Sequence, residues 1–204
     1  WMQLFAETNQ EAVDLHIQAF KLAEAVSMPV MVCVDGFILT HAVERVDVPE
    51  QADVDAFLPV FEPVQVIDPA NPISIGAMVG PEAFTEVRFL QHYKQTQALG
   101  LIPELAAEFK QRFDRDSGGL LRTYRCDDAE VVVVAMGSVC GTIKDVIDEL
   151  RIGGMRIGLV TLVSYRPFPI EPIRQALADA AHVVVLEKSL AVGMGGQLVN
   201  DIGF

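Results

Sequence analysis

One turn in the sequence combines residue types that often bind phosphate. The β-branched run 131–134 leads into Gly137-Ser138-x-x-Gly141-Thr142, and an amphipathic segment follows. A strand, a glycine-rich turn and a helix in this order can present backbone N–H groups to an anion. However, the turn lacks the lysine of a P-loop and the third glycine of a dinucleotide-binding fingerprint. We therefore favour a structural role, in which Gly137 and Gly141 permit a tight turn and Ser138 or Thr142 caps the helix. Phosphate binding is the alternative.

A second group of polar residues follows the apolar run 30–34. Asp35 and Gly36 end this run, and Thr40 and His41 come a few residues later. In α/β proteins, loops at the carboxyl ends of strands commonly carry the site residues. A histidine there could transfer a proton near neutral pH. We predict that Asp35, Gly36, Thr40 and His41 form a loop near the functional site, with a purely structural role for His41 as the alternative.

Arg166 lies at the carboxyl end of another predicted strand, within the sequence SYRPFP. Its guanidinium could contact an anionic ligand, since arginine presents a planar set of donors. It could equally bond backbone carbonyls across a domain interface. The sequence leaves both interpretations open, so Arg166 is a candidate for an interface or anion contact.

The cysteines do not predict a metal site. Cys33, Cys126 and Cys140 are the three cysteines, and no pair has C-x-x-C spacing. This pattern predicts neither a disulfide framework nor a zinc or iron–sulfur site. Free cysteines are typical of a reducing compartment, so we expect a cytoplasmic protein. No Ser-His-Asp set or pair of catalytic carboxylates emerges from the sequence either.

Composition excludes two classes of partner. The chain has 204 residues, of which 51% are hydrophobic and 21% charged, as in folded globular proteins. Its net charge is −13, and its 15 basic residues form no run, so we predict no nucleic-acid partner. No apolar stretch approaches the roughly 18 residues of a membrane helix, so we predict no membrane span. Because both ends lie inside apparent secondary-structure elements, we expect an internal segment of a longer chain.

The first stretch of the chain reads as strand, helix and strand. Thr8 and Glu11 have the spacing of a capping box, which marks the start of a helix. This helix is apolar on two faces, one of which carries Val13, Ile17 and Phe20, so we predict that it is packed from both sides. The unbroken apolar run before Asp35 indicates a parallel strand that is buried on both faces.

The rest of the chain supports the same fold class. The pattern changes from about 44 to 125, where a proline-rich crossing segment with a short helix near 54–58 precedes a long helix that breaks near 100–103. From about residue 127, predicted strands alternate with predicted helices. The strands are 131–136, 155–164 and 182–187, and the helices are 142–151 and 170–180. Such alternation predicts a parallel sheet with helices on its faces. The predicted fold class is α/β, in two units.

Several segments in order resemble the alpha subunit of pyruvate:ferredoxin oxidoreductase and of related 2-oxoacid oxidoreductases. They are ETNQEAVDLHIQAFKLAEAVSMPVMVCVDGFILTH, VGPEAFTEVRFLQHY, VAMGSVCGTIKDVIDELR, SYRPFPIEPIRQAL and EKSLAVGMGGQL. The resemblance implies that residues 1–61 form the C-terminal part of the domain that binds the pyrimidine of thiamine diphosphate. Residues 62–126 would be a crossing segment and the long helix. Residues 127–204 would be a truncated core domain II, similar to the C-terminal domain of transketolases.

The resemblance also implies an activity. Such enzymes oxidatively decarboxylate a 2-oxoacid to acyl-CoA, and the substrate here would be pyruvate or an aromatic acid such as phenylglyoxylate. The implied cofactors are thiamine diphosphate with Mg, shared with a beta subunit, and iron–sulfur clusters on partner subunits, with coenzyme A as co-substrate. The implied partners are the beta subunit, a gamma subunit, a ferredoxin-like delta subunit, and ferredoxin or another electron acceptor.

The resemblance places the glutamate that activates the thiamine ring, and the family's substrate-contacting threonine and arginine, upstream of Trp1, so we assign no catalytic residue within this chain. Because residues 35–41 follow the end of a strand, our further hypothesis is that they line the mouth of the site and that Phe37-Ile38-Leu39 helps to shape an apolar pocket. The alternatives are another thiamine enzyme, of the transketolase or 2-oxoacid dehydrogenase E1 type, and a non-enzymatic binding module.

Overall fold

The computed structural model describes residues 1–76 and 78–203. Its first region is a strand, a helix and a strand: β1 (Met2–Phe5), α1 (Asn9–Val26) and β2 (Val30–Cys33). β1 and β2 pair in parallel. The Oγ1 of Thr8 accepts a hydrogen bond of 3.1 Å from the Glu11 N–H, which confirms the predicted start of α1. The Glu11 carboxylate bonds the N–H of Glu7, at 2.7 Å, one residue before the position expected in a capping box.

Only one face of α1 is packed within the described part of the chain. Leu15, Leu22 and Val26 are buried against β1 and a later long helix, whereas Phe20 is 63% exposed on the opposite face. β2 is an edge strand of its sheet, and its residues are half-buried or exposed. The predictions of a helix packed from both sides and a strand buried on both faces are therefore wrong for this chain taken alone.

The middle of the chain contains α2 (Ile38–His41), α3 (Gln51–Phe57) and α4 (Phe84–Phe113). α3 agrees with the predicted short helix and packs its Phe57 edge-on against Phe109 of α4, with ring centroids 5.6 Å apart. α4 is continuous through Gly100 and Pro103, so the predicted break is wrong. Ala98 and Ile102 are buried against α1 just before the proline, and this packing offsets the hydrogen bond that Pro103 cannot donate.

The last region contains β3 to β7 and α5 to α7. They are β3 (Leu121–Tyr124), β4 (Val131–Ala135), α5 (Val139–Ile152), β5 (Ile157–Leu162), β6 (Ser164–Arg166), α6 (Ile170–Leu177), β7 (His182–Val185) and α7 (Gln197–Ile202). The second sheet has the order β3-β5-β4-β7, and β4 pairs in parallel with β5 and with β7, as alternation predicts. Its antiparallel edge strand β3 was not predicted.

One predicted strand divides between the two sheets. The predicted strand 155–164 forms β5 in the second sheet, and the chain then enters β6, which pairs antiparallel with β1. The first sheet therefore has the order β2-β1-β6. Because β5 and β6 are separated by one residue, the end of β5 fixes where the first sheet lies relative to the second.

The second sheet is covered on both faces, and every residue of β5 is buried. On one face Val132, Val134, Val160 and Leu162 pack with Ile173 and Leu198, and on the other Val133, Ala135 and Leu159 pack with Cys140 and Ile147. This is the arrangement typical of parallel strands with apolar runs. Among the residues described, no helix has both the length and the apolar character needed to cross a membrane.

Candidate functional site at the junction of the two sheets

The loop after β2 and the turn before α5 meet. The Oδ2 of Asp35 accepts a hydrogen bond from the backbone N–H of Ser138, which is 103 residues away in the sequence. Gly137 has φ of +78°, and a Cβ at this position would lie 2.9 Å from Asp35 Oδ2. A carboxylate is stabilised at a helix N-terminus by the free N–H groups and by the helix dipole. The anion at this helix N-terminus is therefore a side chain of the protein itself.

The helix cap differs from the prediction. Ser138 occupies the N-cap position of α5, but its own side chain makes no capping hydrogen bond. Gly141 and Thr142 lie within α5, and only Gly137 of the two glycines has a positive φ. The prediction that Ser138 or Thr142 caps the helix, and that Gly141 shapes the turn, is wrong because Asp35 supplies the acceptor from another part of the chain.

A cavity of about 430 Å³ lies beside this contact. It opens at the carboxyl ends of β1, β2, β4 and β7, where α/β sheets usually hold ligands. Its apolar walls are Phe5, Met136, Val139, Tyr165 and Leu186, and its polar residues are Asp35, Glu187, Lys188, Ser189 and Gln197. The Glu187 carboxylate is already bonded to the N–H groups of Leu198 and Val199, at 2.9 and 3.0 Å. The cavity is thus lined by both apolar and polar side chains.

Thr40 and His41 lie apart from Asp35. They belong to α2, where Thr40 Oγ1 accepts a 2.8 Å hydrogen bond from the Phe37 N–H and lies 2.9 Å from His41 Nδ1. The His41 ring is exposed and stacks on the Phe37 ring at 5.0 Å. Thr40 lines a second cavity, of about 520 Å³, between α1 and residues 34–46. The structure places Asp35 at the first cavity and Thr40 at the second, and His41 lines neither.

Arg166 lies in β6 and bonds groups within the chain. Its Nη2 donates to Asp201 Oδ2 of α7 at 2.9 Å, and its Nη1 donates to the carbonyl of Tyr165 at 2.8 Å. The guanidinium also lies over the Tyr165 ring, 4.2 Å from its centroid. Burial, together with a hydrogen bond to Asp201, raises the pKa of Tyr165. These contacts attach α7 of the last region to the first sheet.

A buried row of carboxylates at the start of α1 was not predicted from the sequence. Glu7, Glu11 and Asp14 are all buried, and each contacts a basic side chain from a later part of the chain. Their i, i+4, i+7 spacing is continued by the buried Gln18; Glu11, Asp14 and Gln18 lie along one side of the helix, and Glu7 lies just before the N-cap Thr8. This spacing is the signal that could have revealed them. Polar residues in such a row, beside an apolar stripe, indicate either a solvated face or an ion-pair interface.

The contacts of this carboxylate row join the start of α1 to three later segments of the chain. Asp14 accepts from Arg115 Nη2 at 2.8 Å and from Ser117 Oγ at 2.7 Å, in the link between α4 and β3. Glu11 accepts from Arg122 Nη2 of β3 at 2.9 Å. Glu7 accepts from Lys144 Nζ of α5 at 2.5 Å. Three carboxylates thus meet three cations, and burial is offset by full pairing.

Arg122 shows the electrostatic consequence of this pairing. Burial by itself would lower the pKa of Arg122, because it disfavours the charged guanidinium. The hydrogen bonds and negative charges of Glu11 and Glu7 outweigh burial, so the pKa of Arg122 is raised above its usual value. The guanidinium therefore remains charged near neutral pH.

Neither the buried Cys140 thiol nor a metal-binding cluster provides a candidate catalytic centre among the described residues. Burial raises the pKa of the Cys140 thiol to about 11, which removes its nucleophilic form near neutral pH. In the part of the chain that the structure describes, no cluster of three or more histidine, cysteine, aspartate or glutamate side chains is arranged to hold a metal ion. The described site offers an apolar cavity, a bonded carboxylate and an exposed turn.

The fold defines a class of protein: an α/β chain in which a β-α-β unit joins a mixed, mainly parallel sheet. Residues 1–105 match the family profile described as pyruvate flavodoxin/ferredoxin oxidoreductase, thiamine diphosphate-binding. Residues 129–203 match the profile of pyruvate:ferredoxin oxidoreductase core domain II. The chain belongs to the pyruvate:ferredoxin oxidoreductase family. This finding confirms the resemblance that the sequence motifs indicated.

Individual relatives agree with this assignment. The chain is 44% identical to pyruvate synthase subunit PorA of Methanothermobacter thermautotrophicus, over 99% of this chain and 53% of that protein. It is 36% identical to ketoisovalerate oxidoreductase subunit VorA of Pyrococcus abyssi, over 98% of this chain and 51% of that protein. The chain therefore spans about half the length of the curated relatives that it matches.

A solved structure supports the fold. The 2-oxoglutarate:ferredoxin oxidoreductase from Magnetococcus marinus superimposes with a TM-score of 0.66 over 99% of this chain and 36% of that chain, at 15% identity. At this identity the likeness concerns the fold alone. It confirms the predicted α/β class.

Proposed function

We propose that this chain forms part of the alpha subunit of a thiamine-diphosphate-dependent 2-oxoacid:ferredoxin oxidoreductase. The observation that carries the proposal is the 44% identity to a pyruvate synthase alpha-type subunit over 99% of the chain. The family profiles at both ends of the chain support the same assignment. The domain boundaries at residues 61 and 126 remain part of the proposal.

Pyruvate is the substrate that we propose first. The relative named for pyruvate is 44% identical to this chain, whereas the relative named for ketoisovalerate is 36% identical. Neither name refers to an aromatic acid, so phenylglyoxylate lacks this support.

The proposed reaction is oxidative decarboxylation. The 2-oxoacid and coenzyme A give acyl-CoA, CO₂, a proton and two electrons, as the carbon–carbon bond to the carboxylate breaks and a thioester bond forms. The electrons pass one at a time through iron–sulfur clusters to ferredoxin or another acceptor. We propose that these clusters lie on gamma or ferredoxin-like delta subunits, because the three cysteines of this chain are unpaired and dispersed. Free thiols also favour a reducing, cytoplasmic location.

The residues of this chain do not fit the diphosphate and Mg of the cofactor. Within the described residues, no buried side-chain nitrogen or oxygen lacks a hydrogen-bond partner, and no carboxylate or histidine cluster suits a metal. The turn most suited to phosphate, Gly137–Thr142, has its Ser138 N–H bonded to Asp35. We therefore propose that a beta subunit holds the diphosphate and Mg, while residues 1–61 complete the domain around the pyrimidine.

The role that we propose for this chain is to hold that domain in place. Asp35 connects the loop after β2 to α5, and Glu7 connects the end of β1 to Lys144 on the same helix. Arg166 connects β6 to α7. These contacts fix the first sheet, and the loop that follows it, relative to the second sheet.

A dye-reduction assay on the native complex tests the proposed function. The complex that contains this chain is purified, and reduction of methyl viologen is measured with pyruvate, ketoisovalerate or phenylglyoxylate, with and without coenzyme A. We expect reduction that requires both pyruvate and coenzyme A. Transfer of the acyl group to lipoamide or to a sugar, without viologen reduction, would instead identify an E1-type or transketolase-type enzyme.

A further inference from the structure

The loop after β2 contains a strained turn. Phe37 has φ of 75° and ψ of −56°, and the N–H of Ile38 bonds the carbonyl of Gly36 at 3.1 Å. This is a three-residue γ-turn of the less common hand, which is strained for a residue with a side chain. A bulky residue at positive φ is an outlier. Strain of this kind persists only where the surroundings impose it, and it is concentrated at functional sites.

The surroundings of Phe37 do impose this conformation. Thr40 Oγ1 accepts the Phe37 N–H at 2.8 Å, and the His41 ring stacks on the Phe37 ring at 5.0 Å. On the other side of the turn, the Asp35 carboxylate is fixed to the Ser138 N–H. The turn is therefore braced at both ends, and the position of the Phe37 ring is defined by the fold.

Burial does not explain the turn. Phe37 is 72% exposed and Ile38 is 54% exposed, whereas the next residue, Leu39, is buried. The fold thus maintains a strained backbone that presents two large apolar side chains to solvent. The turn lies at the carboxyl end of a parallel strand, the end at which α/β sheets hold ligands. It also lies within residues 1–105, which match the thiamine diphosphate-binding profile.

We propose that Phe37 and Ile38 contact the side chain of the 2-oxoacid and select its size. This inference rests on the proposed function. An aromatic ring beside a branched aliphatic chain recognises an apolar substituent without hydrogen bonds, and the two acids named for the relatives differ there, with methyl in pyruvate and isopropyl in ketoisovalerate. A hydrophobic pocket discriminates by about tenfold or more for each methylene. Leu39, which is buried, takes no part.

Substrate preference in the native complex tests this proposal. We expect Phe37→Ala to raise the ratio of kcat/KM for ketoisovalerate to kcat/KM for pyruvate by about tenfold, and Phe37→Leu to raise it by less. The matched control is Phe20→Ala, since Phe20 is a similarly exposed phenylalanine on α1, and its ratio should not change. An unchanged ratio in Phe37→Ala, or an equal loss with both acids, would overturn the proposal.

A second measurement does not depend on turnover. In the complex that carries Phe37→Cys, the alkylation rate of the introduced thiol by iodoacetamide is measured by mass spectrometry of the peptide, with and without saturating pyruvate. We expect pyruvate to slow alkylation there and to leave alkylation of a Phe20→Cys control unchanged. A thiol that is equally reactive in both conditions, or blocked in both because a partner subunit covers the turn, would contradict the proposal.

Different results would refute the proposed function and the assignment of Phe37 and Ile38. A wild-type complex without 2-oxoacid-dependent viologen reduction would refute the proposed function. A wild-type complex with that activity, in which Phe37→Ala keeps the wild-type substrate ratio, would refute only the assignment of Phe37 and Ile38.

Discussion

The second sheet and its junction with the first region are stabilised by different interactions. In the second sheet, both faces of β4 and β5 pack against apolar side chains, which include those of α5, α6 and α7. At the junction, Glu7, which precedes α1, and Glu11 and Asp14 of α1 bind Lys144, Arg122 and Arg115, which belong to later parts of the chain. Apolar packing is not directional, whereas an ion pair with hydrogen bonds fixes both distance and angle.

This difference explains how an exposed loop can be held in place. Replacing a buried ion pair by apolar residues is often neutral or even stabilising, so such pairs are not required for stability alone. Our hypothesis is that the pairs at this junction set the position of the first sheet. Asp35 fixes the loop in a similar way, since its carboxylate accepts a hydrogen bond at the start of α5, the helix that also carries Lys144.

The largest effect should come from removing a buried carboxylate at the junction. Asp14 is fully buried and paired with Arg115. We expect Asp14→Ala to lower the free energy of unfolding by about 3–5 kcal/mol, because it leaves buried donors without their partner. The control is Asp116→Ala, which removes an exposed pair with Lys110 and should cost about 0–1 kcal/mol. Urea denaturation measures both, and similar values for the two variants would show that the junction is not held by the buried pair.

Creating a cavity in the second sheet by mutation should lower the free energy of unfolding nearly as much. Leu159 is fully buried on β5. We expect Leu159→Ala to cost about 2–5 kcal/mol of unfolding free energy, since a large buried side chain is removed. Phe20→Ala, at an exposed site of the first region, should change stability by less than about 0.5 kcal/mol. If Phe20→Ala proved as destabilising as Leu159→Ala, the outer face of α1 would be part of the core.

Removing the carboxylate that caps α5 should have an intermediate effect. We expect Asp35→Ala to cost about 0.5–2 kcal/mol, the range for loss of an N-cap acceptor. Hydrogen–deuterium exchange should show faster exchange of the Ser138 amide, because that N–H loses its acceptor. Asp55→Ala, which removes an exposed hydrogen bond from Gln51, serves as the control. Unchanged exchange at Ser138 would mean that Asp35 does not hold the turn.

The smallest effect concerns an exposed pair of the last region. A hydrogen bond from Arg151 lowers the pKa of Asp128. Since the folded-state pKa lies below the unfolded value of about 3.9, the stabilisation is present above that value and is lost as the pH falls through the folded-state pKa. We expect the wild-type protein to melt slightly above Asp128→Asn at pH 7, and the difference to vanish in strong acid. A difference in melting temperature that stays constant with pH would contradict this origin.

Local patterns in the sequence predicted much of the fold. The run 131–134 forms β4, and Thr8 caps α1, because these features depend on neighbouring residues. α4 continues through Pro103 because tertiary packing on α1 holds the helix on both sides of the proline. β3 was missed since a short strand of mixed polarity becomes a strand only by pairing with β5.

The site was less predictable than the fold. The sequence indicated Asp35 and the Gly137–Ser138 turn separately, but their contact spans 103 residues and depends on how the two sheets lie. The same holds for Asp14 and Arg115, whose separation is 101 residues. Thr40 and His41 follow Asp35 closely in the sequence, yet after the γ-turn at Phe37 Thr40 lines a different cavity and His41 lines neither.

Product analysis on the native complex tests most directly whether this chain takes part in 2-oxoacid oxidation. Pyruvate, coenzyme A and oxidised viologen are supplied, and acyl-CoA is quantified by mass spectrometry together with the reduced dye. The expected result is one acetyl-CoA formed for every two viologen molecules reduced, as electron balance requires. Decarboxylation without acetyl-CoA, or acetyl transfer to another acceptor with no reduced dye, would contradict the proposal.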